Sequence, residues 1–164
     1  MRVYLIRHGE TDYNREAKMQ GHGEVPLNDL GILQATRLGQ RLASESIDHI
    51  YASDLRRTVM TATVVASHTG ARMSYDEGLR ERDPGDLTGQ YYETCLEFFH
   101  DDTFEPPNGE SVPVFHERVR KTFESLAERE GQNGRRLAVV THGMVCMAFL
   151  RIFTPDALEG LDDF

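Results

Sequence analysis

Val3-Tyr4-Leu5-Ile6-Arg7-His8-Gly9-Glu10-Thr11 opens the chain with four apolar residues that run straight into a cation, an imidazole and a glycine. An apolar run of this length reads as a short buried strand. Its polar end reads as a strand delivering functional groups at its own C-terminus, which is where open α/β sheets bind ligands. Near the other end, Leu137-Ala138-Val139-Val140-Thr141-His142-Gly143 repeats the arrangement. The fold turns on what brings these two histidines together.

Between them, strand and helix patterns alternate. Asn28 is placed to cap a helix carrying Leu30, Leu33, Ala35, Leu38 and Leu42 roughly on one face. Residues 48–52 read as a short strand with Ile47, Ile50 and Tyr51 as its apolar content. Ser53 or Asp54 would cap a second helix through Val59, Ala62 and Val65 to about His68, with Gly70 as the glycine that ends it. Residues 72–75 form a weak third strand. Residues 11–23 and 104–109 read as loops, 76–90 as irregular and 91–100 as helical. A long amphipathic helix begins at Ser111, with Phe115, Val119, Phe123 and Leu126 spaced by four and three. A turn at 131–134 leads to the His142 strand and then to an apolar helix over about 144–152.

This alternation predicts an α/β sandwich on a mostly parallel sheet. The Arg7-His8 and Thr141-His142 ends can then lie on neighbouring strands and open on one edge. No repeat, low-complexity tract or linker interrupts the chain, and 164 residues suit one domain, 1–164, with one substantial core.

A hydrophobic content of 39% and a charged content of 27% describe a soluble globular protein. A net charge of −9 weighs against nucleic-acid or anionic-membrane surfaces, and makes any cluster of Arg a pocket feature on an acidic background. Cys95 and Cys146 form no CxxC pattern and read as two reduced thiols of a cytoplasmic protein. The opening apolar run is too short for a signal-peptide core, and no stretch approaches a membrane span. His22, His49, His68, His100 and His116 show no metal-ligand spacing, so no metal or other cofactor is expected.

An imidazole at a strand end, beside an arginine and close to a second histidine, suits chemistry on an anion. Neutral imidazole is a competent nucleophile toward phosphorus. The arginine fork matches phosphate oxygens. A glycine after each histidine lets backbone N–H groups approach an oxyanion, and Thr141 or His142 would stand at the N-terminus of the last helix, a favourable place for an anion. Taken singly, each feature has a structural explanation: Arg56-Arg57 alone is a solvated helix face.

The conjunction is specific. Arg7-His8-Gly9-Glu10-Thr11 with Asn14 resembles the signature of the histidine phosphatase superfamily, also called the phosphoglycerate mutase-like family. Gln20-Gly21-His22 followed by Pro26-Leu27-Asn28 and Leu30-Gly31 resembles its phosphate-side loop and first helix start. Ser53-Asp54-Leu55-Arg56-Arg57-Thr58 resembles its Ser-x-Leu-x-Arg element, and Leu79-Arg80-Glu81, then Gly85 and Gly89, its acidic loop. Pro107-Asn108-Gly109-Glu110-Ser111 is similar to a loop of the phosphatase branch, of the α-ribazole phosphatase and broad-specificity type. Thr141-His142-Gly143 resembles the second histidine motif. The elements follow the family's order from residue 1 to about 150.

The resemblance implies a three-layer α/β/α sandwich with a short helical cap within about 76–112. It implies that His8 is the nucleophile, forming a phosphohistidine. Arg7, Arg57 and His142 would hold the phosphoryl oxygens, with Asn14, Gln20 and Gly21 assisting. Glu81 would protonate the leaving alkoxide and later take a proton from water, which requires a raised pKa. His22, after Gln20-Gly21, could touch substrate.

The reading that follows is metal-independent hydrolysis of a small phosphorylated metabolite. A phosphoglycerate mutase is the alternative, and a protein-histidine phosphatase or phospho-ligand binding module a third. Mutases of the family carry a longer, basic insertion. Residues 91–107 here are short and acidic (Glu93, Glu97, Asp101, Asp102, Glu105) and contain no Lys or Arg, which favours hydrolysis.

Two departures stand out. Related sequences usually have apolar residues where Arg82 and Pro84 stand, so the placement of Glu81 is open. The family usually continues past a point equivalent to Asp162-Asp163-Phe164 into another strand, so the sheet is expected to lack that strand, and an uncovered edge favours a homodimer.

Overall fold

The computed structural model describes residues 1–131 and 134–155. Among them, β1 (Arg2–Arg7), β2 (His49–Ala52), β3 (Arg72–Tyr75) and β4 (Arg136–Thr141) form a wholly parallel sheet in the order β1-β4-β2-β3. β4 is central, and Leu137 to Thr141 are all buried, as a strand covered on both faces must be. The register pairs Arg7 with Thr141, and Ala52 with Val140. The His8 amide donates to the Thr141 carbonyl at 3.0 Å, and the Ser53 amide to that of Val140 at 3.0 Å. Three strands therefore end flush, and His8, Ser53 and His142 emerge side by side.

Six helices are described: α1 (Asp12–Arg15), α2 (Asp29–Leu42), α3 (Arg56–Thr69), α4 (Leu96–His100), α5 (Val112–Glu130) and α6 (Gly143–Phe153). α2 and α3 cover one face over Ile6, Ile50, Ala62, Val65, Ala138 and Val140. α5 and α6 cover the other over Leu79, Phe115, Val119, Phe123, Leu137 and Val139. The result is the three-layer sandwich. A third, smaller cluster of Met19, Cys95 and Phe98, packed against Leu87, Tyr92, Phe104 and Met144, fixes the segment between β3 and α5 over the strand ends.

Local structure corrects several expectations. Asn28 caps α2 as read, accepting from the Gly31 amide at 2.9 Å, but Leu30 and Leu33 are exposed. The buried stripe is Gly31, Ala35, Gly39 and Leu42, because the helix packs closely through small residues. Residues 11–23 are not loop throughout: Thr11 and Asn14 form a reciprocal capping box that starts α1. Neither Ser53 nor Asp54 caps α3, which starts at Leu55 without a side-chain cap. Ser53 turns to His142, and Asp54 is ion-paired with Arg80. Gly70 ends α3 in the left-handed region at φ +70°. Residues 91–100 divide at Cys95 into a 3₁₀ turn (Tyr92–Thr94) and α4. The expected turn at 131–134 falls in part, and the expected missing strand wholly, outside the described residues. No described helix is long and apolar enough to cross a membrane.

Candidate active site

His8 leaves β1 at the centre of the flush edge and is 8% exposed. Its Nδ1 lies 2.7 Å from the Gly9 carbonyl. A carbonyl can only accept, so Nδ1 carries the proton. Arg57 Nε donates to His8 Nε2 at 3.3 Å, which requires a lone pair there. Two contacts thus select one neutral tautomer, with Nε2 unprotonated. Burial first, then the Arg57 and Arg7 charges, lower the His8 pKa to about 3, so the ring is neutral at ordinary pH.

Arg57 is 1% exposed, whereas Arg56 faces solvent. Its terminal nitrogens donate to the Gly23 carbonyl at 3.0 Å and the Gly21 carbonyl at 2.7 Å. Burial lowers its pKa to about 10, which leaves it charged. Gly21 sits at φ +45°, and a Cβ there would lie 2.1 Å from Pro84 Cδ. The loop that orients Arg57 therefore packs closely on Pro84 of the acidic loop, with no room for a side chain at Gly21.

His142 is fully buried, its ring centroid 5.3 Å from that of His8 and its plane inclined by 61°. Nε2 lies 3.0 Å from Ser53 Oγ, and Nδ1 has no hydrogen-bond partner among the described residues. Burial, then Arg57 and His8, push its pKa well below the ordinary imidazole value. An orphaned buried nitrogen costs about 1–3 kcal/mol. Gly143 lines the cavity opening on this edge, whereas Gly9 plays a different part from the one read in the sequence. The Gly9 amide donates to Thr61 Oγ1 at 3.1 Å, and a Cβ on Gly9 would lie 2.5 Å from the Gly31 carbonyl oxygen. Gly9 serves close packing against α2, and its N–H is already engaged.

Glu81 is half-buried at the N-terminus of α6. The Arg82 amide donates to Oε1 at 2.9 Å and the Met144 amide to Oε2 at 3.2 Å. Burial raises its pKa, while these two amides and the Arg57 and Arg7 charges oppose the rise. The Glu81 carbonyl is held by His22 Nε2 at 2.8 Å and by an Arg118 terminal nitrogen at 3.2 Å. Arg118 also grips the Gly78 and Arg80 carbonyls and forks onto Glu110 at 2.9 and 2.6 Å. Glu110 of the Gly-Glu-Ser loop therefore acts by fixing Arg118, and His22 by supporting the acidic loop; neither lines the cavity.

Arg82 is 1% exposed. Its guanidinium donates to the carbonyls of Glu110 (2.8 Å), Phe98 (2.8 Å) and Phe104 (3.2 Å) and lies 4.1 Å over the Phe98 ring. Arg82 is the tie between the acidic loop and the segment above it.

A cavity of about 250 Å³ opens on this edge, lined on one side by Arg7, His8, Asn14, Gln20, Gly21, Arg57 and Glu81. Those seven of the sequence-derived positions converge; His142 lies behind the His8 ring rather than on the wall. Asn14 accepts from the Thr11 amide at 3.2 Å, and Gln20 accepts from Thr11 Oγ1 at 2.8 Å. Their amide oxygens are held in this network around Thr11, and both residues line the cavity. The other side is Met19, Tyr92, Phe98, Phe99, Met144 and Met147. Glu93, Glu97, Asp101, Asp102 and Glu105 are exposed and absent from this wall. The acidity of residues 91–107 thus lies outside this cavity, and the aromatics between those carboxylates were the signal for it. Arg118 carried no such signal, because its partner Glu110 is eight residues away across a loop and a helix start.

The arrangement, a neutral imidazole with a free lone pair beside a buried guanidinium and a carboxyl of raised pKa, can bind an anion and exchange a proton with it. Residues 3–164 match the family model of the histidine phosphatase superfamily, branch 1. The chain belongs to that superfamily. It is 35% identical over 167 residues to phosphoglycerate mutase-like protein 4 of Arabidopsis thaliana, covering 94% of this chain and 72% of that one. Among solved structures, YhfR of Bacillus stearothermophilus superposes with a TM-score of 0.84 at 31% identity, covering 93% of this chain and 79% of that one. A mycobacterial glucosyl-3-phosphoglycerate phosphatase superposes with a TM-score of 0.80 at 31% identity, covering 88% and 76%. The superfamily thus has phosphatases and mutase-like proteins among the relatives of this chain.

Proposed function

We propose that this protein is a metal-independent phosphomonoester hydrolase working through a phosphohistidine. The observation that carries the reading is the His8 tautomer. Gly9 fixes the proton on Nδ1, and Nε2 keeps its lone pair at the cavity wall. An entering phosphate gives the Arg57 Nε–H a charged acceptor, and that releases Nε2 to attack. The Nε2–P bond forms, the bond from phosphorus to the ester oxygen breaks, and that oxygen takes the Glu81 proton. Water then attacks phosphorus, Glu81 recovers a proton from it, and inorganic phosphate leaves with Nε2 restored. Arg7, Arg57 and the amides of Asn14 and Gln20 offset charge on the transferring group. Residues 76–112 act as the cap. The two free thiols, Cys95 and Cys146, fit a cytoplasmic setting.

The name of the plant relative favours mutase activity as a second reading. Against it stands the apolar far wall, which offers a second carboxylate or phosphate little beyond Arg7, Arg57 and the buried Arg82. The test is hydrolysis of p-nitrophenyl phosphate at mildly acidic pH with EDTA present, run beside a phosphometabolite panel and a mutase assay. Turnover that survives EDTA and vanishes in His8→Ala, with a phosphoenzyme trapped only in the parent, supports the reading. Loss of turnover on adding EDTA, or residual turnover in His8→Ala, overturns it.

A further inference from the structure

A second cavity of about 260 Å³ lies beside the first, between the α4 segment and the starts of α5 and α6. Arg82, Phe98, Phe99, Met144 and Met147 line both, so the two are continuous along one wall. A group attached to a phosphate at His8 and directed away from the strand ends along Met144 and Met147 enters it.

The shared wall has a definite chemistry. Flat rings and thioethers are polarisable surfaces that accept an aromatic body at little conformational cost. Phe99 is 38% and Met147 46% exposed, although the surrounding segment is acidic and otherwise solvated. Arg82 does not turn this wall into an anion site. Its guanidinium is buried and donates to three backbone carbonyls. Its effect on the cavity is to hold the Phe98 ring at 4.1 Å.

The far end is polar but mixed in charge, with Asp102, His116 and Arg151. Asp102 offers an acceptor and opposes a second anion, and Arg151 offers donors. Burial and then the Arg151 charge lower the His116 pKa, against the opposing Asp102 charge, which favours the neutral imidazole with one donor and one acceptor. Such a set suits a neutral hydrogen-bonding edge.

We propose that the second cavity is a leaving-group subsite that selects phosphomonoesters of fused-ring aromatic alcohols carrying a neutral polar edge, over small polyanionic esters. This rests on the hydrolase reading above and specifies its substrate class. Neither Asp102, His116 nor Arg151 touches the phosphoryl pocket, so their part is in specificity and not in the chemical step.

The test compares kcat/KM for phenyl, 2-naphthyl and 6-hydroxy-2-naphthyl phosphate, whose leaving groups are of similar acidity. The parent should favour the hydroxynaphthyl over the phenyl ester by at least tenfold, mostly through KM. Val112→Phe fills the second cavity alone, and Arg151→Glu inverts the charge at its exposed end; each should bring that ratio toward one. A parent ratio at or below one, or a ratio that neither folded variant moves, overturns the subsite while leaving hydrolysis of phenyl phosphate intact. If none of the three esters is hydrolysed, the hydrolase reading falls and the subsite with it.

Discussion

Replacing Arg82 by methionine, an apolar residue of similar length, should be costly. The guanidinium makes three hydrogen bonds to the Glu110, Phe98 and Phe104 carbonyls, at 2.8, 2.8 and 3.2 Å. Bonds to a charged donor contribute a net ~1.5–3 kcal/mol each. Desolvation of the charge, visible in the lowered Arg82 pKa, offsets part of that sum. Methionine keeps the stem packing and a sulfur contact with Phe98, but it leaves the carbonyls without their donor. The expected net loss is about 3–4 kcal/mol, within the usual range for breaking a buried polar network. Against a domain stability of about 5–15 kcal/mol the protein still folds, with Tm lower by about 10 °C for a chain of this size. Urea unfolding with an unchanged m-value and thermal denaturation measure this. The Arg82 amide also donates to Glu81 Oε1, so loosening the loop should lower turnover of alkyl phosphates more than that of aryl phosphates. A loss of less than about 1 kcal/mol would show that the carbonyls find other partners, and would refute Arg82 as the tie that holds the cap.

Glu81→Gln should slow alkyl phosphates by about 10²–10³-fold and aryl phosphates far less, because aryl oxides leave without a proton; equal effects on both remove Glu81 as the acid. The unfolded chain protonates an imidazole near pH 6.5 but folded His8 only near about 3, so its contribution to stability is whole above pH 6.5 and is lost as pH falls below it. The loss is about 1.4 kcal/mol per pH unit. Glu81, whose pKa is raised, acts in the opposite sense and offsets part of the loss in the parent. His8→Asn should therefore lose about 2–3 kcal/mol less than the parent between pH 6.5 and 4.5 in urea unfolding; parallel losses refute a buried neutral His8. Gly21→Ala forces a Cβ to 2.1 Å from Pro84 Cδ at φ +45° and should cost about 1–3 kcal/mol and raise KM through the Arg57 carbonyl contact. Adding Pro84→Ala should recover part of both, and strict additivity of the two changes would mean that the loops are not locked together.

Much of the framework was legible in the chain because it is written in local pattern. Four-residue apolar runs ending in His8 and His142 define strands by burial alone, and Asn28 and Gly70 mark helix ends by backbone chemistry that acts over a few residues. The choice of Arg57 over Arg56 followed from motif spacing, and the structure buries the one and exposes the other. What the tertiary structure alone decided involves partners far apart in sequence. The His8 tautomer depends on Arg57, 49 residues away; Glu81 on Arg118, 37 residues away; and Gly21 on Pro84 across two loops. The α2 face was legible in part: Ala35 and Leu42 are buried and Leu38 packs on the core, but Leu30 and Leu33 face solvent and the closest contacts fall to Gly31, against the Glu10 backbone, and Gly39, against His68, which hydrophobicity does not mark. Charge in residues 91–107 gave no sign of the wall, because the carboxylates lie outside the phosphoryl cavity and the aromatics between them line it. Periodicity and spacing constrain what lies within a few residues along the chain, whereas proton position, pKa and cavity shape are set by which distant groups share a low-dielectric space.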